Sequence, residues 1–177
     1  MNGYRLIVFF LVSLAIVCGC ERREAASAPP RSIDDLLPKQ AQPKQPTIKL
    51  GIGSEEMVAE MALSAAQQQT GMMFRTNIAE NEGMVFVLPE TRRASFWMKN
   101  CFVPLSIAYI DPDGVIQEIH DLQPQNTNSV LSASQNIRFA LETSQGWFQR
   151  HNVSTGTLVR TEHGSLMDTF VRKRQGE

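Results

Sequence analysis

Charge of one sign is what this chain most plainly lacks: 17 lysines and arginines stand against 18 aspartates and glutamates, a net charge of −1. Without a positive field, nucleic acid and an anionic membrane surface are not expected partners. Cysteine is scarce too, with 3 in 177 residues. Cys18 and Cys20 lie beside the N-terminal apolar segment, so only Cys101 remains in the body and no disulfide framework can form there. His120, His151 and His163 show no ligand spacing, and there is no Cys-x-x-Cys pair. A GxSxG elbow, a phosphate-cradling glycine loop and a dinucleotide fingerprint are all missing. Gly51-Ile52-Gly53 lacks the third glycine such a fingerprint needs. No cofactor or resident metal is therefore expected. What is present is one domain's worth of ordinary globular composition, 42% hydrophobic and without internal repeats.

The longest apolar run stands at the start. Arg5 supplies a short basic region, and Leu6 to Val17 is apolar apart from Ser13. The run is too short for a comfortable membrane span and fits the apolar core of a signal. It ends in Val17-Cys18-Gly19-Cys20, which resembles a bacterial lipoprotein signal with Cys20 as the acylated residue; an ordinary cleaved signal or a short anchor are the alternatives. On the lipoprotein reading, residues 1–20 are signal, the membrane is held through a lipid anchor, and the protein is exported to the cell envelope. Glu21 in place of aspartate favours the outer membrane. Residues 21–46 hold Pro29, Pro30, Pro38, Pro43 and Pro46 among Ala, Ser, Gln and Lys, a composition that buries too little to offset chain entropy and reads as a tether.

From Thr47 the pattern becomes that of short strands and turns. Thr47–Ile52 alternates, Gly53-Ser54-Glu55 turns, and Met57, Ala59, Met61 and Leu63 alternate with Val58, Glu60 and Ala62 as a hairpin partner. Ser64 and Gln67 form a capping box that starts a short helix closed by Gly71. Met84–Leu88 is a continuous apolar run bounded by Gly83 and Pro89, as expected of a strand covered on both faces, and Pro89–Ala94 reads as a turn. Val103–Ile110 and Val115–His120 flank the turn Asp111-Pro112-Asp113-Gly114. Leu122–Ser134 reads as a surface loop. Ile137–Thr143 is a strand with Ile137, Phe139 and Leu141 inward, Gly146–His151 a helical turn, and Leu158–Thr161 a last strand. The fold class is mainly β, one compact barrel or sandwich over 47–165 with one or two short helices, followed by a polar tail, 166–177, that carries the basic triplet Arg172-Lys173-Arg174.

Large apolar and polar side chains are most densely interleaved between Thr70 and Leu105. Arg75, Glu82, Lys99 and Asn100 stand among Met73, Met84, Phe96, Trp97 and Met98, the mixture from which small-molecule sites are built. Arg75 and Lys99 would suit an anionic group, and Phe96 or Trp97 could stack on a sugar or aromatic ring. The candidate pocket is thus Arg75, Glu82, Met84, Phe96, Trp97, Met98, Lys99 and Asn100, and the expected ligand is small and anionic or sugar-like. Against it stands a structural reading: an Arg75–Glu82 ion pair, a turn held by Lys99 and Asn100, and aromatics that are simply core. A third reading uses Met72, Met73, Met84, Met98 and Cys101 as soft ligands for Cu(I). A fourth makes Cys101 a nucleophile activated by Lys99, for which no base is evident. The balance leans away from an enzyme.

Four ordered blocks, Gly71-Met72-Met73-Phe74-Arg75, Glu82–Val87, Phe96-Trp97-Met98-Lys99-Asn100 and Pro104-Leu105-Ser106-Ile107, resemble the signature of the bacterial and archaeal family called domain of unknown function 192. The resemblance spans Thr47 to about Thr161 and implies a small jelly-roll-like β barrel, often exported, without an established activity. Two positions depart from the family pattern. Cys101 stands where threonine is usual, and Ser106 where aspartate is usual.

Overall fold

The computed structural model of the protein describes residues 32–172. The segment expected to be a signal, with Cys20, the first part of the expected tether, and Lys173 and Arg174 lie outside the described residues. The chain divides into two units, Met1–Asp35 and Leu36–Glu177. Of the first, a single 3-10 turn at Ile33–Asp35 is described. Among the described residues no helix is long and apolar enough to cross a membrane.

In the second unit, β1 (Thr47–Ile52) and β2 (Glu55–Ala62) make the expected hairpin, from Thr47 opposite Glu60 to Ile52 opposite Glu55. The helix α1 (Ala65–Thr70) follows. Its cap Ser64 accepts the Gln67 amide N–H, while the Gln67 side chain accepts the Ser64 N–H at 2.8 Å. Gly71 closes it at φ +48°, a conformation open to glycine at little cost.

The next pairing departs from the hairpin pattern of the sequence. β3 (Glu82–Arg92) runs parallel to β2, with Val58 opposite Glu82 and Ala62 opposite Phe86. Parallel neighbours require a crossover of about a dozen residues or more. Residues 63–81 provide it, bringing α1 and the Met72-Met73 turn over one side of the sheet, where they meet Met84 and Phe86.

The remaining strands are β4 (Ser95–Phe96), β5 (Leu105–Ile110), β6 (Ile116–Leu122), β7 (Val130–Leu131), β8 (Ile137–Ser144), β9 (Val159–Thr161) and β10 (Gly164–Ser165). A second helix, α2 (Trp147–Arg150), buries Trp147 and Phe148. The main sheet has the order β10-β9-β1-β2-β3-β8-β5-β6, and β4 pairs with β7 alone. The sheet does not close, but a bridge from Val115 to Leu158 links the β5–β6 turn to the β9 end. This is a mainly β, barrel-like architecture, in agreement with the sequence.

Two apolar clusters lie on the two faces of the sheet. One contains Leu50, Ile52, Val85, Val87, Ala108, Ile110, Phe139 and Trp147; the other contains Met72, Met84, Phe86, Leu105, Ile107, Tyr109 and Ala140. The central strands β3, β5 and β8 therefore give alternate side chains to each, which is why they read as nearly unbroken apolar runs.

Several local expectations need correction. Pro89 does not end β3. It sits exposed in a stretch where the ladder to β8 is interrupted between Val87 and Arg92, so its missing N–H leaves no gap. Residues 122–134 are not only loop: β7 lies there, and the fully buried Ser132 accepts the Ala94 N–H at 2.9 Å and donates to the Ser134 carbonyl at 2.7 Å. Ile137 does not share a face with Phe139 and Leu141; it joins the other cluster with Ala140, next to the ladder irregularity. The folded unit also extends past both edges of 47–165. Gln42 donates to the Gly71 carbonyl at 2.9 Å and the Gln45 N–H to Glu60 at 2.8 Å, while Leu166 and Phe170 are buried, the latter on a π-helical turn, Asp168–Arg172.

Candidate ligand site

The parallel crossover leaves a cavity of about 250 Å³ on the Met72 side of the sheet. Its floor is sheet: Phe86 and Leu88 from β3, Glu142 from β8. One wall is the end of α1 with the turn Gly71-Met72-Met73. The other is Arg92, Phe96, Trp97 and Cys101. Three rings border it, those of Phe86, Phe96 and Trp97, with Phe86 and Phe96 packed edge to face at 5.0 Å.

The loops around this cavity hold backbone that is rarely adopted. Phe74 has φ +62°, Asn100 φ +59° and Gln125 φ +62°. They are cross-tied: the Phe74 N–H donates to the Asn100 carbonyl at 2.7 Å, and the Gln125 N–H to the Cys101 carbonyl at 3.1 Å. Non-glycine residues at positive φ cost of the order of 1 kcal/mol or more each and persist where surroundings over-determine them, commonly at binding sites. The strain here fixes the turns that carry Met73 and Cys101.

Glu142 is the outlying chemistry. On β8 it stands opposite Met84 of β3 and Ile107 of β5, both members of the cavity-side cluster, so its side chain emerges in mid-sheet rather than at an edge. It is 4% exposed, lines the cavity, and its carboxyl has no hydrogen-bond or ion-pair partner among the described residues. Burial without a counter-charge pushes its pKa up from 4.5 to about 8, so at neutral pH it is mostly the protonated acid.

The residues expected from sequence to form the pocket are only partly brought together. Phe96 and Trp97 line the cavity. Met84 and Met98 lie in the apolar cluster behind it, at 0% and 2% exposure. Arg75 faces away from it: its Nη2 donates to Glu60 Oε2 at 2.8 Å, with both side chains nearly buried. The Arg75–Glu82 pair of the structural reading is therefore replaced by Arg75–Glu60, while Glu82 meets Lys44 at 3.5 Å in solvent. Lys99 and Asn100 form the turn between Met98 and Cys101, outside the cavity lining. The sequence reading missed Glu142 and Arg92. Glu142 was legible as the one acid in the apolar run Ile137-Arg138-Phe139-Ala140-Leu141-Glu142, had that strand been taken as covered on both faces.

Cys101 is 5% exposed, and burial first, then the neighbouring Glu142, pushes its thiol up to about 12. Lys99 does not depress it. A nucleophile requires the thiolate, so the Cys101-nucleophile reading loses its reactive species. Native protein is expected to resist iodoacetamide at pH 8, with Cys101 modified only after unfolding; rapid alkylation of the folded chain, read by intact mass, would restore that reading. Ser106 shows how the second departure is accommodated: its hydroxyl donates to Asp121 Oδ1 at 2.5 Å across the β5–β6 pair and accepts the Gly146 N–H at 2.8 Å. Among the described residues no three His, Cys, Asp or Glu side chains are grouped as a metal site.

The model of the family DUF192, described as "Uncharacterized ACR", matches residues 48–161. No curated protein matches the chain. Among solved structures, a candidate transcription regulator from Sinorhizobium meliloti is similar at 27% identity and a TM-score of 0.65, covering 68% of this chain and 98% of its own. A protein of unknown function from Novosphingobium aromaticivorans aligns at 24% identity and a TM-score of 0.62, covering 75% of this chain and 99% of its own; that likeness speaks for the fold alone.

Proposed function

The chain belongs to the domain of unknown function 192 family, and from that premise we propose that it is a lipid-anchored cell-envelope protein whose β domain binds a small ligand in the cavity between the α1 crossover and the Phe96-Trp97 segment. The observation that carries the binding reading is Glu142, a buried carboxyl without a partner that lines a half-open cavity bordered by Phe86, Phe96 and Trp97. A carboxyl in that position costs stability unless something pairs with it. A scaffold would be better served there by an apolar side chain. The regulator description of the Sinorhizobium protein is not carried over, because a net charge of −1 offers no general attraction to nucleic acid.

Two experiments test the reading. Anchoring through Cys20 predicts that Cys20→Ala moves the protein from the membrane fraction to the soluble envelope fraction; unchanged membrane retention of Cys20→Ala overturns the anchor. For binding, the detergent-purified protein is screened by thermal shift against amines, sugars, short peptides, nucleotides and Cu(I). A ligand at a hundredfold its Kd stabilises the fold by about 2.7 kcal/mol, and Trp97→Ala is expected to abolish the shift. If no compound shifts the protein, the domain is a scaffold for protein contacts and the cavity reading is wrong.

A further inference from the structure

Resting on that reading of the cavity, we propose that its ligand is a small primary amine, bound as the ammonium ion with the Glu142 carboxylate as its counter-charge. The anionic ligand expected from Arg75 and Lys99 has no support in the lining: Arg75 is engaged with Glu60, and neither cation borders the cavity. The group that does face the space is an acid. Around it stand the rings of Phe86, Phe96 and Trp97 and the thioethers of Met72 and Met73, with Gln68, Gln69 and Thr70 beside them. Aromatic faces attract cations and repel anions through their quadrupoles, so a cation stacked on one of these rings is favoured by ring and carboxylate alike. At about 250 Å³ the space suits a compact amine rather than a nucleotide or an oligosaccharide. The one cation in the lining, Arg92, is exposed at the end of β3, where it does not neutralise Glu142.

Binding is then a proton exchange. The ammonium ion enters, Glu142 gives its carboxyl proton to solvent, and the resulting carboxylate accepts N–H donors from the ligand. Neither titratable side chain near Glu142 competes for this role. The thiol of Cys101 and the hydroxyl of Tyr109 are both held protonated by burial, and Tyr109 already donates to the Val130 carbonyl at 2.6 Å. Arg138, four residues earlier on the same strand, does not line the cavity. Affinity for the amine is expected to rise about tenfold per pH unit as pH climbs toward about 8, and to level off beyond it.

The test is calorimetry on the full-length protein in detergent with 2-phenylethylamine, 2-phenylethanol and phenylacetate, at pH 7 in phosphate and in MOPS, neither of which is a primary amine. The expected result is binding of the amine alone, with close to one proton released, and a loss of at least about tenfold in affinity in Glu142→Gln. That variant keeps the side chain's shape and removes its charge, and its fold is checked by circular dichroism. Equal binding of phenylethanol or phenylacetate, or an amine affinity unchanged in Glu142→Gln, overturns the amine proposal while leaving the cavity a ligand site. So does a response to Cu(I) that depends on Cys101 while no amine binds. If neither these probes nor the broader screen gives any binding, the proposal and the ligand-binding reading both fall.

Discussion

Replacing Arg75 by alanine is expected to destabilise the protein by about 3 kcal/mol, the lower end of what breaking a buried pair costs. The loss comes from the partner left behind. Glu60 lies on β2 with its side chain 11% exposed, against 14% for Arg75, and without the guanidinium it keeps only the Gln45 N–H at 2.8 Å. That remaining bond is the reason for the lower end of the range. Arg75 itself is not perfectly placed, since its Nε is buried without an acceptor. Replacing both residues together should therefore cost less than the sum of the single changes. Urea denaturation of the two single variants and the double variant, at constant m, measures this coupling. A loss below about 0.5 kcal/mol for Arg75→Ala would place the pair among ordinary surface contacts. The same experiment separates the pocket expected from sequence from the one found. A ligand-holding Arg75 would be nearly neutral for stability, whereas the Glu60 pair makes it part of the frame.

The difference traces to one topological fact. Local signals in this chain are strong: the Ser64–Gln67 capping box, Gly71 as the helix stop, and the Asp111–Gly114 turn, where Asp111 Oδ1 accepts the Asp113 and Val115 N–H groups at 2.9 Å. Each involves neighbours in sequence, and each was legible there. The parallel pairing of β2 with β3 involves no such signal, because a hydrophobic run fits a parallel or an antiparallel neighbour equally well. Without that pairing, Arg75 and Glu82 are near in sequence and look like partners. With it, the crossover returns Arg75 to the β2 strand that precedes it, and Glu60 is what it meets. Phe96 and Trp97 were legible as neighbours because they are adjacent in sequence and form part of the second wall of the cavity. Glu142 lies some 40 residues further along the chain, and only the β3-β8-β5 order brings it under that wall. Alternation assigned it to solvent; a strand covered on both faces has no solvent side.

Glu142→Gln is expected to remove most of the pH dependence of stability between about pH 5 and pH 8. In the unfolded chain this carboxyl titrates near its ordinary 4.5; in the folded protein burial raises it to about 8. Between those values the native state holds a proton that the unfolded state lacks. Stability therefore falls as pH rises, by about 1.4 kcal/mol per unit, with the full contribution present below pH 4.5 and lost by about pH 8. Other shifted groups act elsewhere. Glu118, held below its usual range by the Ser134 and Ala133 N–H groups and His120 despite its desolvation, contributes stability that disappears only as pH falls below 4.5. Cys101, raised to about 12, loses its contribution only above pH 9. Every other group is common to the two proteins, so the difference between native chain and variant isolates Glu142. The variant should match the native protein near pH 5 and exceed its stability by a few kcal/mol at pH 8. A slope that persists in Glu142→Gln would show that the carboxyl is paired or solvated in the fold. A gain at pH 8 would carry the stronger implication. A glutamate that weakens its own protein at the pH where its charge appears has no structural reason to be there. A cationic ligand that stabilises the carboxylate supplies one, and in its presence the native chain should overtake the variant.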